Sequence, residues 1–184
     1  MLDKLTIRQI TRRDLPALEW DGAYTHYRNL FRDAFQRHQK GESILWVAEL
    51  AGAGLVGQAF VQLVGFRLEL ADGRERAYIY AIRVRAPYQG LGIGTRLIQT
   101  AEEDLIWRGY QYTTLNVNKD NLDAQRLYAR LGYRIVAHEP GKWSYVDHRG
   151  RRQQVNEPAW RMQKSLLDQQ PDQHHQHHDI ESGS

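Results

Sequence analysis

Residues 78–101 read Tyr-Ile-Tyr-Ala-Ile-Arg-Val-Arg-Ala-Pro-Tyr-Gln-Gly-Leu-Gly-Ile-Gly-Thr-Arg-Leu-Ile-Gln-Thr-Ala. The first part of this stretch is largely apolar at alternate and intervening positions, which predicts a strand covered on both sides. Simple alternation places Tyr78, Tyr80, Ile82 and Val84 on one face, and Ile79, Ala81 and Arg83 on the other. Pro87 ends the strand because it has no N–H to donate. A glycine-rich turn then leads into a helix that Gly109 is expected to terminate.

The glycine-rich turn from Gln89 to Thr95 predicts an anion site. The first N–H groups of a helix have no partner within the helix, and the helix dipole adds partial positive charge there. Two common phosphate motifs do not fit: a Walker loop needs Lys after the last glycine, and the dinucleotide fingerprint needs a glycine where Thr95 stands. The pattern that remains is Gln-x-x-Gly-x-Gly, formed by Gln89, Gly92 and Gly94. A glycine turn without any ligand is the alternative.

Residues 121–133 supply a second pattern, Asn-Leu-Asp-Ala-Gln-Arg-Leu-Tyr-Ala-Arg-Leu-Gly-Tyr, one helix and one strand after the glycine turn. Together the two patterns closely resemble the motifs of the Gcn5-related N-acetyltransferases, the GNAT superfamily. The second motif of that family is Asn-x-x-Ala-x-x-Leu-Tyr-x-x-x-Gly-Phe/Tyr. The positions that match it in register are Asn121, Ala124, Leu127, Tyr128, Gly132 and Tyr133. The resemblance covers nearly the whole body of the chain, most firmly residues 77–137.

The resemblance implies an α/β (α+β) GNAT fold, with a mixed, mostly antiparallel sheet of about seven strands and helices on both faces. Strands four and five of that fold splay apart, and the edges expected to open here are residues 82–84 and 115–117. The implied co-substrate is acetyl-coenzyme A. The residues expected to bind it are Ile82, Arg83, Val84, Gln89, Gly90, Leu91, Gly92, Ile93, Gly94, Thr95, Asn116, Asn121, Ala124 and Tyr128.

The implied reaction is acetyl transfer to a primary amine of a small molecule or peptide, by direct attack through a tetrahedral intermediate. The family binds the oxyanion with a backbone N–H of strand four. The resemblance makes Tyr128 the proton donor to the leaving thiolate, because a phenol with a pKa near ~10 is protonated at neutral pH. The general base stays open. Many members carry Glu where this chain has Tyr80, which would act through ordered water, and Glu49, Glu139 and His148 are the other candidates.

An acceptor pocket is expected between the N-terminal helices and the C-terminal strands, as in the family. Its expected side chains are Tyr24, Tyr27 and Tyr80, with Trp20 and His26 as further candidates. Such an aromatic stripe is also typical of simple core packing. If the pocket interpretation holds, the aromatic content indicates an amine on an apolar or aromatic carrier.

The rest of the chain predicts the remaining elements. Strands are expected at residues 4–10, 43–50, 55–70, 112–117, 133–137, 142–147 and 159–166, and helices at 15–18 and 23–40, with another before Gly132. Asp14 is the expected N-cap of the first helix, and Asp120 or Asn121 that of the last. Asp72-Gly73 indicates a hairpin turn, with a bulge near Gly57 or Gly65. Strands two to four then form an antiparallel meander, and strands four and five pair in parallel.

Composition limits the other functions. The 184-residue chain has no cysteine, which excludes disulfides, cysteine nucleophiles and cysteine zinc sites. No apolar run approaches the ~20 residues of a membrane span, so we expect a cytoplasmic protein without a membrane partner. Residues 1–167 predict one acetyltransferase domain. Residues 168–184, rich in Gln, His and Asp, predict a disordered tail without a functional metal site.

Charge leaves one further alternative. The net charge is +3, and the tail is acidic, so the body is more basic than the whole chain. A basic body suits a polyphosphorylated ligand. We expect no nucleic-acid partner, because no basic stripe is interleaved with aromatic residues. A non-catalytic module that binds acyl-coenzyme A is the alternative to the enzyme, and we expect a monomer or homodimer.

Overall fold

The computed structural model describes residues 2–169, which form a seven-stranded sheet, a separate two-stranded ribbon and the surrounding helices. The strands are β1 (Leu5–Gln9), β2 (Ser43–Leu50), β3 (Gly54–Gln62), β4 (Arg76–Val84), β5 (Tyr112–Asn118), β6 (Arg134–Glu139), β7 (Lys142–Val146), β8 (Arg152–Asn156) and β9 (Ala159–Ser165). The helices are α1 (Arg28–Gln39), α2 (Ile93–Trp107) and α3 (Leu122–Arg130). Short 3-10 helices cover Leu2–Lys4, Arg12–Gly22, Thr25–Tyr27, Ala86–Tyr88 and Leu167–Gln169.

The sheet has the strand order β1-β2-β3-β4-β5-β9-β6. Its neighbours run antiparallel, except that β4 and β5 pair in parallel. The predicted fold class is therefore confirmed, including the β2–β4 meander and the parallel pairing after it. The ribbon of β7 and β8 stands outside this sheet.

Strand β2 shows why both faces of the sheet must be covered. Trp46 and Ala48 are buried in a core that α2 and α3 complete, whereas Leu45 and Val47 are buried against α1. We call these two faces the α2 side and the α1 side. Gly57 on β3 allows α2 to approach closely, because a Cβ there would lie 3.2 Å from Leu97 Cδ1. The helices thus sit on both faces, as a strand with two apolar sets requires.

A bulge in β4 overturns the simple alternation expected from the sequence. Phe60 of β3 faces Tyr80, but Gln58 faces Arg83, so β4 holds one extra residue between them. Ala81 takes a positive φ of 51°, and its carbonyl accepts a hydrogen bond from Gln58 Nε2 at 3.2 Å. The extra residue moves Ile82 and Val84 to the α2 side and Arg83 to the α1 side.

The expected strand at 55–70 is too long, since β3 ends at Gln62. The N–H groups of Leu63 and Val64 both donate to the Glu42 carbonyl, so the chain leaves the ladder there. Leu70 is nevertheless buried, with its carbonyl accepting a 2.8 Å hydrogen bond from Thr114 Oγ1. Asp72 then accepts three backbone N–H groups, from Arg74, Glu75 and Arg76. The apolar run covers the sheet as a loop instead of extending the strand.

The long helix expected at 23–40 begins only at Arg28, after a 3-10 turn. Trp20, Asp21 and Gly22 all have positive φ, and this left-handed bend prevents a continuous helix. The capping prediction is also wrong at Asp14. That side chain lies in the third helical position and accepts the Thr11 backbone N–H at 2.7 Å, so Thr11 is the N-cap.

Strand β8 is absent from the sequence predictions. Asp147 closes the turn between β7 and β8 by accepting the backbone N–H groups of Arg149 and Arg151, each at 2.9 Å. Gly150 in this turn has a φ of 78°. Asp-x-x-Gly is a turn signal that predicts such a hairpin, but the polar strand after it lacks an apolar pattern. The predicted tail lies outside the described residues, apart from residues 168 and 169.

Candidate active site

The glycine loop connects the end of β4 to the start of α2. The first bond of α2 runs from the Arg96 N–H to the Gly92 carbonyl at 3.1 Å. The N–H groups of Ile93, Gly94 and Thr95 precede this bond and therefore have no partner within the helix. They lie at the N-terminus of α2, the positive end of the helix dipole, which favours an anion.

The glycines of this loop fit a bulky anion. Gly90 and Gly92 have φ values of 76° and 86°, and a Cβ on either would meet nothing within 4 Å. Open space in front of left-handed glycines is the arrangement that lets a phosphate contact backbone N–H groups. Gln89 has a bracing role, because its Nε2 donates to the Val84 carbonyl at 2.8 Å.

An open edge lies beside this loop, where β4 and β5 separate. Their parallel ladder runs from Arg76 and Tyr112 to Ile79 and Leu115, and no further pair follows. Leu115 is thus still paired, and the edge of β5 toward β4 opens one residue later than expected, at Asn116. Residues 80–84 of β4 have no partner on that side. The splay predicted between the two strands is present.

Asn116 lies just beyond the last pair. Its Nδ2 donates to the Tyr78 hydroxyl at 3.4 Å, and its Oδ1 is buried without a hydrogen-bond partner among residues 2–169. Burial raises the pKa of Tyr78 to about 12, so this phenol stays protonated at neutral pH. A buried amide oxygen with no partner is costly and is the kind of group that a ligand or water satisfies.

Helix α3 carries the second motif. Asn121 is its N-cap, with Oδ1 accepting the Ala124 N–H at 3.1 Å, so Asn121 and not Asp120 starts the helix. Tyr128 is buried in the α2-side core, 6.3 Å from the ring of Tyr133. Burial raises the pKa of Tyr128 to about 12. Burial alone causes this rise, and no residue within 2–169 makes a hydrogen bond to the Tyr128 hydroxyl.

The candidate bases lie in different surroundings. Tyr80 stacks on Tyr78 with ring centroids 5.5 Å apart, and burial raises the pKa of Tyr80 above its usual value. Glu49 is bound to Arg8 at 3.0 Å. Glu139 is buried and forms ion pairs with Arg67 and Arg161. His148 is exposed in the turn of the ribbon. The structure brings Tyr80 next to Tyr78 at the splay and leaves Glu49 and Glu139 engaged by arginines.

The aromatic residues expected at an acceptor pocket assemble on the α1 side. Tyr27 lies 6.0 Å from Tyr24, 4.2 Å from His26 and 5.1 Å from Tyr145, measured between ring centroids. Further ring contacts continue this cluster into the sheet: Trp20–Tyr24, Tyr27–Phe31, Phe31–Phe60 and Phe60–Tyr80. The ribbon is held over the cluster by Asn29, whose Nδ2 donates to the Asp147 carbonyl at 2.8 Å. Tyr24, Tyr27 and Tyr80 thus belong to one cluster.

The acetyltransferase (GNAT) family model matches residues 6–133, which is more than half of the chain. The chain belongs to the GNAT acetyltransferase family. Its enzyme class is therefore acetyltransferase.

One curated relative and several solved structures are similar to this chain. An uncharacterized N-acetyltransferase of Methanocaldococcus jannaschii is 29% identical over 141 residues, covering 71% of this chain and 78% of the relative. The ribosomal-protein-S18-alanine N-acetyltransferase from Escherichia coli superposes with a TM-score of 0.66 at 22% identity, covering 88% of this chain and 94% of that one. Ard1 from Thermoplasma volcanium has a TM-score of 0.66 at 21% identity, with 89% and 99% covered. A chimeric spermidine N-acetyltransferase from Vibrio cholerae and hSSAT has a TM-score of 0.66 at 19% identity, with 90% and 97% covered.

A separate groove of this GNAT protein lies away from the splay. It has a volume of about 410 Å³ and runs between α3 and β6, lined partly by Gln125, Ala129, Ile135 and Met162. Gln125 and Ala129 follow Ala124 and Tyr128 by one position each, so they project from a different part of α3. Within residues 2–169, no helix has the length and apolarity to cross a membrane.

The α1 side also holds a residue whose side chain the sequence assigned to the other face. The Arg83 guanidinium carbon lies 4.2 Å from the centroid of the Tyr24 ring and 5.2 Å from that of Tyr27. Alternation alone puts this side chain opposite Tyr80, and only the bulge at Ala81 brings both to the same face. No local signal in the sequence marks the bulge, since Ala81 is not a glycine.

Proposed function

We propose that this GNAT enzyme transfers the acetyl group of acetyl-coenzyme A to a primary amine, by direct attack of the amine on the thioester. The observation that carries the proposal is the continuity of the glycine loop with the open edge of β4. One strand thus leads from the β4–β5 splay directly to a helix N-terminus with free N–H groups. A long phosphorylated thioester requires both features side by side.

Binding of acetyl-coenzyme A follows from these groups. In this proposal the N–H groups of Ile93, Gly94 and Thr95 bind the pyrophosphate. The open space before Gly90 and Gly92 supports this, and Leu91 lies between them. The amide chain of the pantetheine pairs with the free edges at 82–84 and from Asn116 onward, as an added strand does. Acetyl-coenzyme A supplies the activated acetyl thioester.

Two groups of the chain act on the reacting centre in this proposal. The bulge removes Ala81 and Ile82 from the regular register with β3. In this proposal a backbone N–H of that segment binds the oxyanion. Tyr128 donates a hydrogen bond to the leaving sulfur. With its pKa raised to about 12, the phenol still carries its proton throughout the neutral range.

The ammonium form of the amine must lose a proton before attack. A Tyr80 phenol whose pKa is raised by burial is a poor base by itself, so in this proposal Tyr80 holds an ordered water beside Tyr78. That water accepts the proton of the ammonium group and passes it to bulk solvent. Tyr24 and Tyr27 line the acceptor side of the same space.

The similar proteins act on different amines. One is named for the alanine of a ribosomal protein and another for spermidine, so both peptide and small-molecule amines are open to this chain. We propose that the chain works as a monomer or homodimer. No observation favours the non-catalytic alternative over the enzyme.

The test compares thiol release from acetyl-coenzyme A across a panel of primary amines for the wild type and Tyr128→Phe. We expect turnover to fall about ten- to a thousand-fold, because the ring and its packing remain while the proton donor is lost. The rise in melting temperature with coenzyme A should stay unchanged. Tyr112→Phe is the matched control. Tyr112 lies at the end of β5 that is far from the splay, with the Arg76 guanidinium over its ring. Equal turnover in wild type and Tyr128→Phe would remove Tyr128 from the mechanism.

A further inference from the structure

Arg83 is a partly buried cation without a carboxylate partner among residues 2–169. Its Nη1 is fully buried and has no hydrogen-bond partner. Glu157 influences it only electrostatically, from outside ion-pair distance, and burial lowers the pKa of Arg83 below its usual value. The faces of Tyr24 and Tyr27 provide its contacts. Cation–π contacts offset only part of the cost of burying a charge.

Neighbouring arginines differ from Arg83 in this respect. Arg85 binds Asp21 at 3.2 Å, Arg28 binds Glu19 at 2.9 Å, and Arg67 binds Glu139 at 2.7 Å. Arg37, which lies beside Tyr80, shares with Arg83 the lack of an ion pair within residues 2–169. A guanidinium presents paired N–H donors that match a carboxylate, so the missing partner is an anion of that shape.

The charges around the aromatic cluster do not suit a polycation. The carboxylates of Asp21, Glu19 and Glu139 are already bound by arginines. Glu157 acts electrostatically on Arg83 and Tyr27 and forms no ion pair within residues 2–169, so one carboxylate faces the two arginines of this site. Arg37 adds positive charge beside Tyr80, and its Nε is buried without a hydrogen-bond partner. A polyamine would bring further positive charge next to two arginines, whereas a carboxylate would neutralise one of them.

We propose that the acceptor carries a carboxylate close to the amine that is acetylated, and that Arg83 binds this carboxylate beside the rings of Tyr24 and Tyr27. Aromatic side chains form the wall of the site, so an aromatic or apolar carrier completes the acceptor. This inference rests on the proposed function. It narrows the acceptor class to amino acids or to peptides with an acidic group near the N-terminus.

The first experiment uses matched acceptors with the wild-type enzyme. Thiol release from acetyl-coenzyme A is measured with phenylalanine, with phenylalanine amide and with spermidine. We expect kcat/KM for phenylalanine to exceed that for the amide by about ten-fold or more, and spermidine to be the poorest. The peptides Ala-Glu-Ala amide and Ala-Gln-Ala amide distinguish a side-chain carboxylate from that of a free amino acid.

Two variants then connect the preference to Arg83. Arg83→Gln removes the charge but keeps the backbone of β4, so the melting-temperature rise with coenzyme A should persist. The preference for the carboxylate-bearing member of each pair should fall to near one. Arg85→Gln is the matched control, because Arg85 lies two residues later and is paired with Asp21. We expect it to keep the preference.

A binding arm separates failure of this inference from failure of the proposed function. N-acetylphenylalanine should raise the melting temperature of the coenzyme A complex more than its amide does, in the wild type and not in Arg83→Gln. Carboxylate-dependent binding without turnover of any amine would support the site and contradict the enzyme. Turnover with neither a carboxylate preference nor an effect of Arg83→Gln would overturn the inference and leave the enzyme standing.

Discussion

The two sides of the sheet are built in different ways. On the α2 side, aliphatic residues such as Leu97, Ile98 and Leu105 are fully buried, and the loop that starts the helix follows β4 directly. On the α1 side, aromatic rings dominate, and they come from the 3-10 turn, from β4 and from the separate ribbon. The glycine loop and α2 are contiguous in sequence, whereas the aromatic cluster is assembled from segments far apart in the chain.

This difference matches what the proposed function requires of each side. A loop and a helix N-terminus bind phosphate through backbone N–H groups, so few side chains are required there. An acceptor must be distinguished by its own shape and charge, which takes side chains such as Tyr27, Arg83 and Tyr145. Acceptor choice can therefore change by substitution on the α1 side while binding of the co-substrate is retained on the other.

The largest expected effect tests the α2 side through Gly92→Glu. The new side chain places bulk and negative charge in the open space before the α2 N-terminus, so coenzyme A should no longer raise the melting temperature. Thiol release should be lost as well. Gly109→Glu is a matched control at the other end of α2, because Gly109 also has a positive φ and an open Cβ position. If both variants keep the shift with coenzyme A, the loop does not bind the pyrophosphate.

A second prediction concerns the buried ion pair of Lys164 and Glu102 on the α2 side. Lys164 Nζ lies 3.0 Å from Glu102 Oε1, with side-chain exposures of 11% and 4%, and the Tyr133 hydroxyl donates to the same carboxylate. Lys164→Met should lower the free energy of unfolding by about 3 kcal/mol, because Glu102 is left buried with its charge uncompensated. Chemical denaturation measures the loss. The exposed pair of Arg126 and Asp123 is the comparison, where Arg126→Met should cost less than ~0.5 kcal/mol.

The smallest effect on the free energy of unfolding is expected at the ion pair of Arg8 and Asp14 on the α1 side. Arg8 binds both oxygens of Asp14, and this lowers the pKa of Asp14 to about 2, below its unfolded value of 3.8. The ionised carboxylate therefore stabilises the fold by about 2 kcal/mol above pH ~5. That contribution is lost as the pH falls through 4 toward 2. Asp14→Asn should cost this amount at pH 7 and progressively less below pH 4. A pH-independent difference would show that the lost charge is not its origin.

Sequence reasoning succeeded where local chemistry determines the structure. The glycine loop, the helix after it, the Asn121 cap and the β2–β4 meander each follow from neighbouring residues. It failed where distant packing decides. The bulge at Ala81 involves a residue that carries no turn signal, and the ring of Tyr80 next to it packs on Phe60 of the neighbouring strand.

For the site, the same limit holds. The backbone elements of the co-substrate site were predictable, because the motifs at Gln89 and Asn121 fix their order. The participation of Tyr145 and the orientation of Arg83 were not, since each depends on contacts formed only after the sheet and the ribbon come together. The roles of the individual site residues stay predictions.

The extra residue at Ala81 decides which face of the sheet every later side chain of β4 occupies. Deleting one residue there would exchange the faces of all later positions of β4, turning Arg83 toward the α2 side and Ile82 toward the α1 side. In a relative without this bulge, the residues aligned with Ile82, Arg83 and Val84 would face the opposite sides of the sheet. To transfer acceptor specificity between two such enzymes, the bulge must therefore be matched first, so that aligned residues face the same side. Only then can individual side chains be exchanged.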